Sequence, residues 1–194
     1  IGFSGRQREH PSQMRGKSRG DLRFPAGEMR FVADITVGKA AKWLRIFGFD
    51  TLFMRSLDVD FLAARLAEGR ILVTRDHRLA TRPGMSNAIL LGANDPAGQI
   101  ADIFVRLRLA ETVMEAVRRM ESNEEVNRWP KPLSRCIRCN APLTEVPRSD
   151  VVLEVPDFTW ATQARFHRCP LCRRVYWPGT HRERILSAID ALNL

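Results

Sequence analysis

The sequence predicts an α/β domain, a parallel sheet flanked by helices, followed by a small four-cysteine module of the zinc-ribbon type. Three observations carry this expectation. From residue 30 to about 105, short apolar runs of strand length alternate with segments of helical periodicity. The runs are almost continuously apolar, as strands covered on both faces must be. All four cysteines fall after the break at Trp129-Pro130-Lys131-Pro132, where the character of the chain changes.

Residues 1–28 carry six basic and three acidic residues among scattered Gly, Ser and Pro, with no apolar period. That composition predicts a disordered basic extension, or residual upstream sequence, since Met29 stands just ahead of the first strand. Arg30 to Ala33 is the first expected strand. Thr36 is expected to cap a helix whose apolar positions Ala40, Leu44 and Phe47 recur until Gly48 stops it. Thr51 to Met54 reads as a second strand. A helix starting at Asp58 to Asp60 should bury Leu62 and Leu66 and end at Gly69, before a third strand from Ile71 to Thr74. A fourth strand, Ala88 to Leu91, leads to Asp95-Pro96, a capping residue with proline at the first helical position, and then to a helix carrying Ile100, Ile103, Phe104 and Leu107. A charged helix and a linker fill 110–130, so the domain expected over 29–130 precedes a module over 131–194 that ends in a helix.

Thirty-one Lys and Arg against 22 Asp and Glu give a net charge of +9, and removing residues 1–28 leaves +6. The folded part is therefore basic in its own right, the electrostatic footprint of a nucleic-acid binder. No apolar stretch approaches the roughly 20 residues that span a bilayer, and no secretory signal pattern is present. The expectation is a cytoplasmic protein with no membrane partner.

Two of the predicted strands run into an aspartate, Asp34 after the first and Asp76 after the third. Carboxyl ends of parallel strands open onto the crevice where such sheets bind ligands, and converging carboxylates are the ligand set of a hard divalent cation such as Mg²⁺ or Mn²⁺. The third candidate is Asp60, or with less support Asp58, at the start of the second helix. Asp95 reads better as a cap. Lys39, Lys42 and Arg45 recur at three-residue steps beside Asp34 and form either a solvated helix face or a grip on a phosphodiester backbone.

Cys136-Ile-Arg-Cys139 and Cys169-Pro-Leu-Cys172 are separated by 29 residues. Two such knuckles supply four thiolates to a tetrahedral structural zinc, leaving no position for water and hence no chemistry at the metal. Strands for this ribbon are expected at Val151 to Val155, Arg165 to Cys169 and Arg174 to Trp177. Cations interleave there with aromatics, so that Trp177 could stack a base while neighbours such as His181 meet phosphates. The alternative is that the aromatics form the module's own core.

The runs RFVADITVGKAAKWLRIFGFD, DVDFLAARLAEGRILVTRD, SRCIRCNAPL and FHRCPLCRRVYWPGTHRERI resemble the Mut7-C family from Met29 to the end of the chain. The resemblance implies a PIN-like nuclease fold fused to a zinc ribbon, and ribonuclease activity. It implies that Asp34, Asp60 and Asp76 occupy metal-binding acidic positions, with Thr74 and Arg75 also on motif positions. Ile35-Thr36-Val37 departs from the methionine or leucine that many members carry in this turn. The expectation is therefore a metal-dependent ribonuclease, with Lys39, Lys42, Arg45 and Arg75 positioning the RNA backbone. The alternative is a non-catalytic RNA-binding protein that uses the basic ribbon.

Overall fold

The computed structural model describes residues 29–85, 87–121 and 131–177. Four parallel strands, β1 (Arg30–Ala33), β2 (Asp50–Phe53), β3 (Ile71–Thr74) and β4 (Ala88–Leu90), form one sheet in the order β2-β1-β3-β4. The helices are α1 (Gly38–Ile46), α2 (Val59–Ala67), α3 (His77–Ala80), α4 (Pro96–Leu107) and α5 (Ala110–Glu121).

Alternation along the strands divides the core into two layers. Phe31, Ala33, Ile71, Val73, Ile89 and Leu91 face one side, where they pack on Ala40, Leu44 and Phe47 of α1, Ile100, Ile103 and Phe104 of α4, and Val113 and Val117 of α5. Val32, Leu72 and Ala88 face the other side, against Leu62 of α2, Leu79 and Ala80 of α3, and Met85. The chain moves from β1 to β2 with α1 on the first face, then from β2 across to β3 with α2 on the second. Opposite directions over opposite faces are what crossovers of a single hand require.

The sequence expectation differs from the structure at three places. Thr36 does not cap α1. Asp34 caps a short 3-10 turn (Ile35–Val37) by accepting from the Thr36 backbone N–H at 3.0 Å, and that turn runs into α1. The four-residue α3 was not foreseen, being too short to show a period. In the cysteine module, Val151 to Val155 is not a strand. Arg148–Val151 is a 3-10 turn, and Val151 and Val155 both turn inward onto Phe166. The three-stranded antiparallel sheet is instead β5 (Thr144–Val146), β6 (Phe166–Arg168) and β7 (Val175–Tyr176), with α6 (Asp157–Thr162) between β5 and β6.

Candidate functional site

The order of the strands fixes where a ligand can sit. β1 and β3 are hydrogen-bonded neighbours whose onward connections leave in opposite directions, which makes their carboxyl ends the switch-point crevice of the sheet. Ala33 pairs with Val73, so Asp34 and Asp76 stand just past the last rung on either side of that crevice. Asp60 reaches the same edge from the first turn of α2, which follows the carboxyl end of β2.

Asp34 is only 7% exposed, and its carboxylate is clamped by two threonines. Thr36 donates to Oδ1 through both its backbone N–H and its hydroxyl, and the Thr74 hydroxyl donates to Oδ2 at 2.6 Å. Each hydroxyl oxygen also accepts from the backbone beyond β3. Thr36 Oγ1 takes the Arg75 N–H at 3.0 Å and Thr74 Oγ1 takes the Asp76 N–H at 2.9 Å. The carboxylate on β1 is thereby fixed to the turn that carries Asp76. Sequence reasoning did not give the two threonines this role, although each lies two residues from an acid.

Asp76 is exposed and caps α3, its Oδ1 accepting from the Arg78 and Leu79 backbone while Oδ2 accepts nothing from the described residues. Asp58 caps α2 through Phe61 N–H at 2.9 Å, whereas exposed Asp60 makes no hydrogen bond or ion pair to a described residue. The three acids therefore share an edge and differ in freedom: Asp34 held, Asp76 half-engaged, Asp60 unengaged. Among the described residues, the cysteines form the group of three or more ligating side chains whose donor atoms lie within 4.8 Å of one another. The acids share an edge without that spacing.

Lys39 and Lys42 are exposed on α1, and exposed Arg75 bonds Asn94. Arg45 does not join them. Three-residue steps drift around a helix of 3.6 residues per turn, and by Arg45 the drift has carried the side chain inward, to 7% exposure. Its Nε donates to Thr51 O at 2.9 Å and its terminal nitrogen to Ile137 O and Arg138 O at 2.8 and 3.1 Å. Burial lowers its pKa, opposed by the nearby Cys136 and Cys139 thiols and Asp50. Trp177 packs its ring, tilted, against Phe166 at the edge of the module's core. His181 lies outside the described residues.

The four sulfurs lie within 4.8 Å of one another and could hold a metal. Cys136 Sγ and Cys172 Sγ are 3.7 Å apart, close to the roughly 3.8 Å separation that zinc–sulfur bonds of about 2.3 Å impose. The two knuckles repeat one backbone design. Cys139 N–H donates to Cys136 Sγ and Cys172 N–H to Cys169 Sγ, and each pair is followed by a left-handed residue, Asn140 or Arg173. Asparagine after a C-x-x-C is a legible signal for such a turn. Tyr176 Oη lies 3.1 Å from Cys136 Sγ. Burial pushes the Cys136 thiol up, but hydrogen bonds from Tyr176 and the Cys139 and Arg138 backbone outweigh it and bring it to about 7.

The first knuckle is bolted to the opposite edge of the large sheet, where its strands begin. Asn140 accepts from Thr51 N–H at 2.9 Å and donates to Asp50 Oδ1 at 2.7 Å, and Asp50 is gripped by both terminal nitrogens of Arg70 at 3.0 and 3.1 Å. Leu133 N–H donates to Ile46 O, and Lys131 passes so close to Gly48 that a Cβ there would lie 2.3 Å from Lys131 O. Gly48 also has φ +92°, so two independent constraints require glycine.

A parallel α/β domain with acids on its carboxyl edge and a four-cysteine cluster strapped to its amino edge is the class that fold and site define. The Mut7-C RNAse domain matches residues 29–189, most of the chain. The protein belongs to that ribonuclease family. No curated protein and no solved structure matches the chain. Among the described residues, no helix is long and apolar enough to cross a membrane.

Proposed function

We propose that this chain is a metal-dependent ribonuclease whose acidic edge, Asp34, Asp60 and Asp76, holds Mg²⁺ or Mn²⁺ and cleaves RNA phosphodiester bonds. The observation that carries the reading is the placement of Asp34 and Asp76 on either side of the β1/β3 switch point, with Asp60 on the same edge. The chemistry of the donors suits such an ion, three carboxylates of which two have oxygens that accept no hydrogen bond from the described residues, and exposed Asp60 and Asp76 would have to draw toward Asp34 to share it. When bound, the ion would lower the pKa of a water and neutralise charge on the phosphate. Thr36 and Thr74 keep the Asp34 carboxylate in one orientation, and the Asp76 cap holds the second acid at the head of α3. Lys39, Lys42 and Arg75 are exposed and would supply cations to a phosphodiester backbone crossing the edge. Four thiolates leave no open position, so a zinc in the second site is structural.

A second reading, an RNA-binding protein without turnover, is favoured by one observation. Asp34, Asp58 and Asp76 each cap a helical turn, a sufficient structural reason for an aspartate. Asp76→Asn separates the two. Asparagine caps a helix about as well as aspartate, so the variant keeps its fold and loses one charge. With Mn²⁺ and a labelled unstructured RNA, wild-type protein should cleave and Asp76→Asn should not, while both bind. Equal cleavage by the two proteins, or none by the wild type under either metal, overturns the catalytic reading.

A further inference from the structure

Three of the eight large hydrophobic side chains exposed among the described residues stand on the acidic edge, all on its β1/β2 side. Ile35, 65% exposed, directly follows Asp34. Leu57, 56% exposed, sits in the loop between β2 and α2 beside Asp58. Phe61, 38% exposed, follows Asp60 in the first turn of α2. The Arg65 guanidinium lies 5.1 Å from the centre of the Phe61 ring while also pairing with Glu68, and exposed Arg55 lies two residues before Leu57.

Apolar surface left in water is costly, and core packing does not ask for it at Ile35 or Leu57, while Phe61, though it carries Arg65 one turn along α2, still leaves 38% of its surface exposed. An occupant has to be flat and apolar on one face, uncharged next to the acids, and joined to negative charge that exposed Arg55 and Lys39 can meet. We infer that Ile35, Leu57 and Phe61 form a nucleobase platform, on which an unpaired base next to the scissile phosphate stacks. The inference rests on the proposed role of the acidic edge and adds its specificity. A base is neutral, so it can lie against this surface without the repulsion that a bare phosphate meets from Asp58 and Asp60. Its face is available only when it is unpaired, so the platform discriminates single strands from duplexes. An apolar patch on a protein partner is the competing occupant. The patch adjoins the edge proposed to cleave RNA, and exposed Arg55 and Lys39 can meet the phosphates on either side of a stacked base, which favours the nucleobase.

The test is fluorescence anisotropy on the zinc-loaded chain, without Mg²⁺ or Mn²⁺ so that no turnover intervenes. The probes are a short unstructured oligoribonucleotide, the same strand with abasic sites, and the corresponding duplex. Phe61→Ala should weaken binding of the intact strand on the order of 10-fold, the scale of one lost base stack. It should change neither abasic-strand nor duplex binding, and Phe61→Tyr should restore the wild-type value. An unchanged affinity for the intact strand, or an equal loss on intact and abasic strands, overturns the platform. Cleavage assays with Mn²⁺ run in parallel keep the two readings apart. Absence of cleavage sinks the catalytic assignment and leaves the base-dependent affinity standing, whereas normal cleavage with no effect of Phe61→Ala sinks the platform alone.

Discussion

The two edges of the parallel sheet use the same residue types for opposite ends. On the amino edge, Asp50, Arg70, Arg45 and Asn140 bond to one another or to backbone carbonyls and amides, under the cover of a cysteine knuckle. On the carboxyl edge, Asp60 and one oxygen of Asp76 accept nothing from the described residues, and apolar side chains stand in water. A charged group in a protected place has to be satisfied by its own chain, because desolvation without a partner costs several kcal/mol. One that can reach water is free to take a ligand. Aspartates alone do not mark a site; incomplete pairing of Asp60 and Asp76 at the edge that carries the switch point is what makes this one a candidate.

Perturbing each edge in turn should break the comparison or sharpen it. The largest effect is expected at the amino edge. Cys139→Ser would remove one of the four ligands that a structural zinc needs, and such a zinc carries on the order of 10 kcal/mol of folding free energy in small modules. Metal analysis should fall from about one zinc per chain to near none. Hydrogen exchange should rise through residues 135–141 and spread into 45–51, through the Arg45 and Asn140 bonds, more than into 71–76. Unchanged melting after zinc removal would sink the ribbon, and loss confined to residues beyond 131 would sink the bolt.

Asp76→Asn comes next, with cleavage reduced about a thousandfold, several kcal/mol in transition-state terms, at nearly constant melting temperature. Asp34→Asn should also abolish cleavage but melt lower. Its amide nitrogen would replace an acceptor facing the Thr36 or Thr74 hydroxyl, leaving buried groups mismatched at about 1–3 kcal/mol. A stability gap between these two variants tests whether Asp34 is as tightly clamped as its bonds indicate.

Arg45→Met should cost about 2–4 kcal/mol in denaturant unfolding, because three carbonyls lose their donor, and should leave RNA affinity unaltered. Weakened RNA binding at unchanged stability would return Arg45 to the backbone-gripping stripe. At Asp50, burial raises the carboxyl pKa, but the bonds from Arg70 and Asn140 outweigh it and the group ends below its usual value. A depressed folded pKa contributes stability that is complete above the unfolded value near 4 and fades as pH falls through the folded one. Asp50→Asn should therefore be less stable than wild type at neutral pH and lose less on acidification below about pH 4. Smallest of all, Lys39→Gln with Lys42→Gln should lower RNA affinity by a few-fold and flatten its salt dependence by about two contacts.

Much of this was legible in the chain. Strands that begin and end within four residues, helices with a 3.6-residue apolar stripe, and C-x-x-C knuckles are local patterns, so β1, β3, α2, α4 and the cysteine quartet could be read directly. Where local signals were short or ambiguous the structure differs. Val151 to Val155 looks like a β-branched strand, but residues four apart turn inward onto Phe166, because the small core recruits them through a helical turn. Arg45 looked like one more cation in a stripe, and only its bonds to Ile137 and Arg138, more than ninety positions along the chain, reveal it as a strut.

The sequence by itself determined the α/β pattern, the acids that end its strands and the paired cysteines of its knuckles, because each is encoded in spacing over a few residues. The tertiary structure decided the order β2-β1-β3-β4, and with it the crevice that Asp34 and Asp76 flank. It also decided that the knuckle locks the amino edge and leaves the acidic edge open. Those outcomes depend on contacts between residues tens of positions apart, whose preference lies in how whole faces pack and which buried charges find partners, and no local period records that.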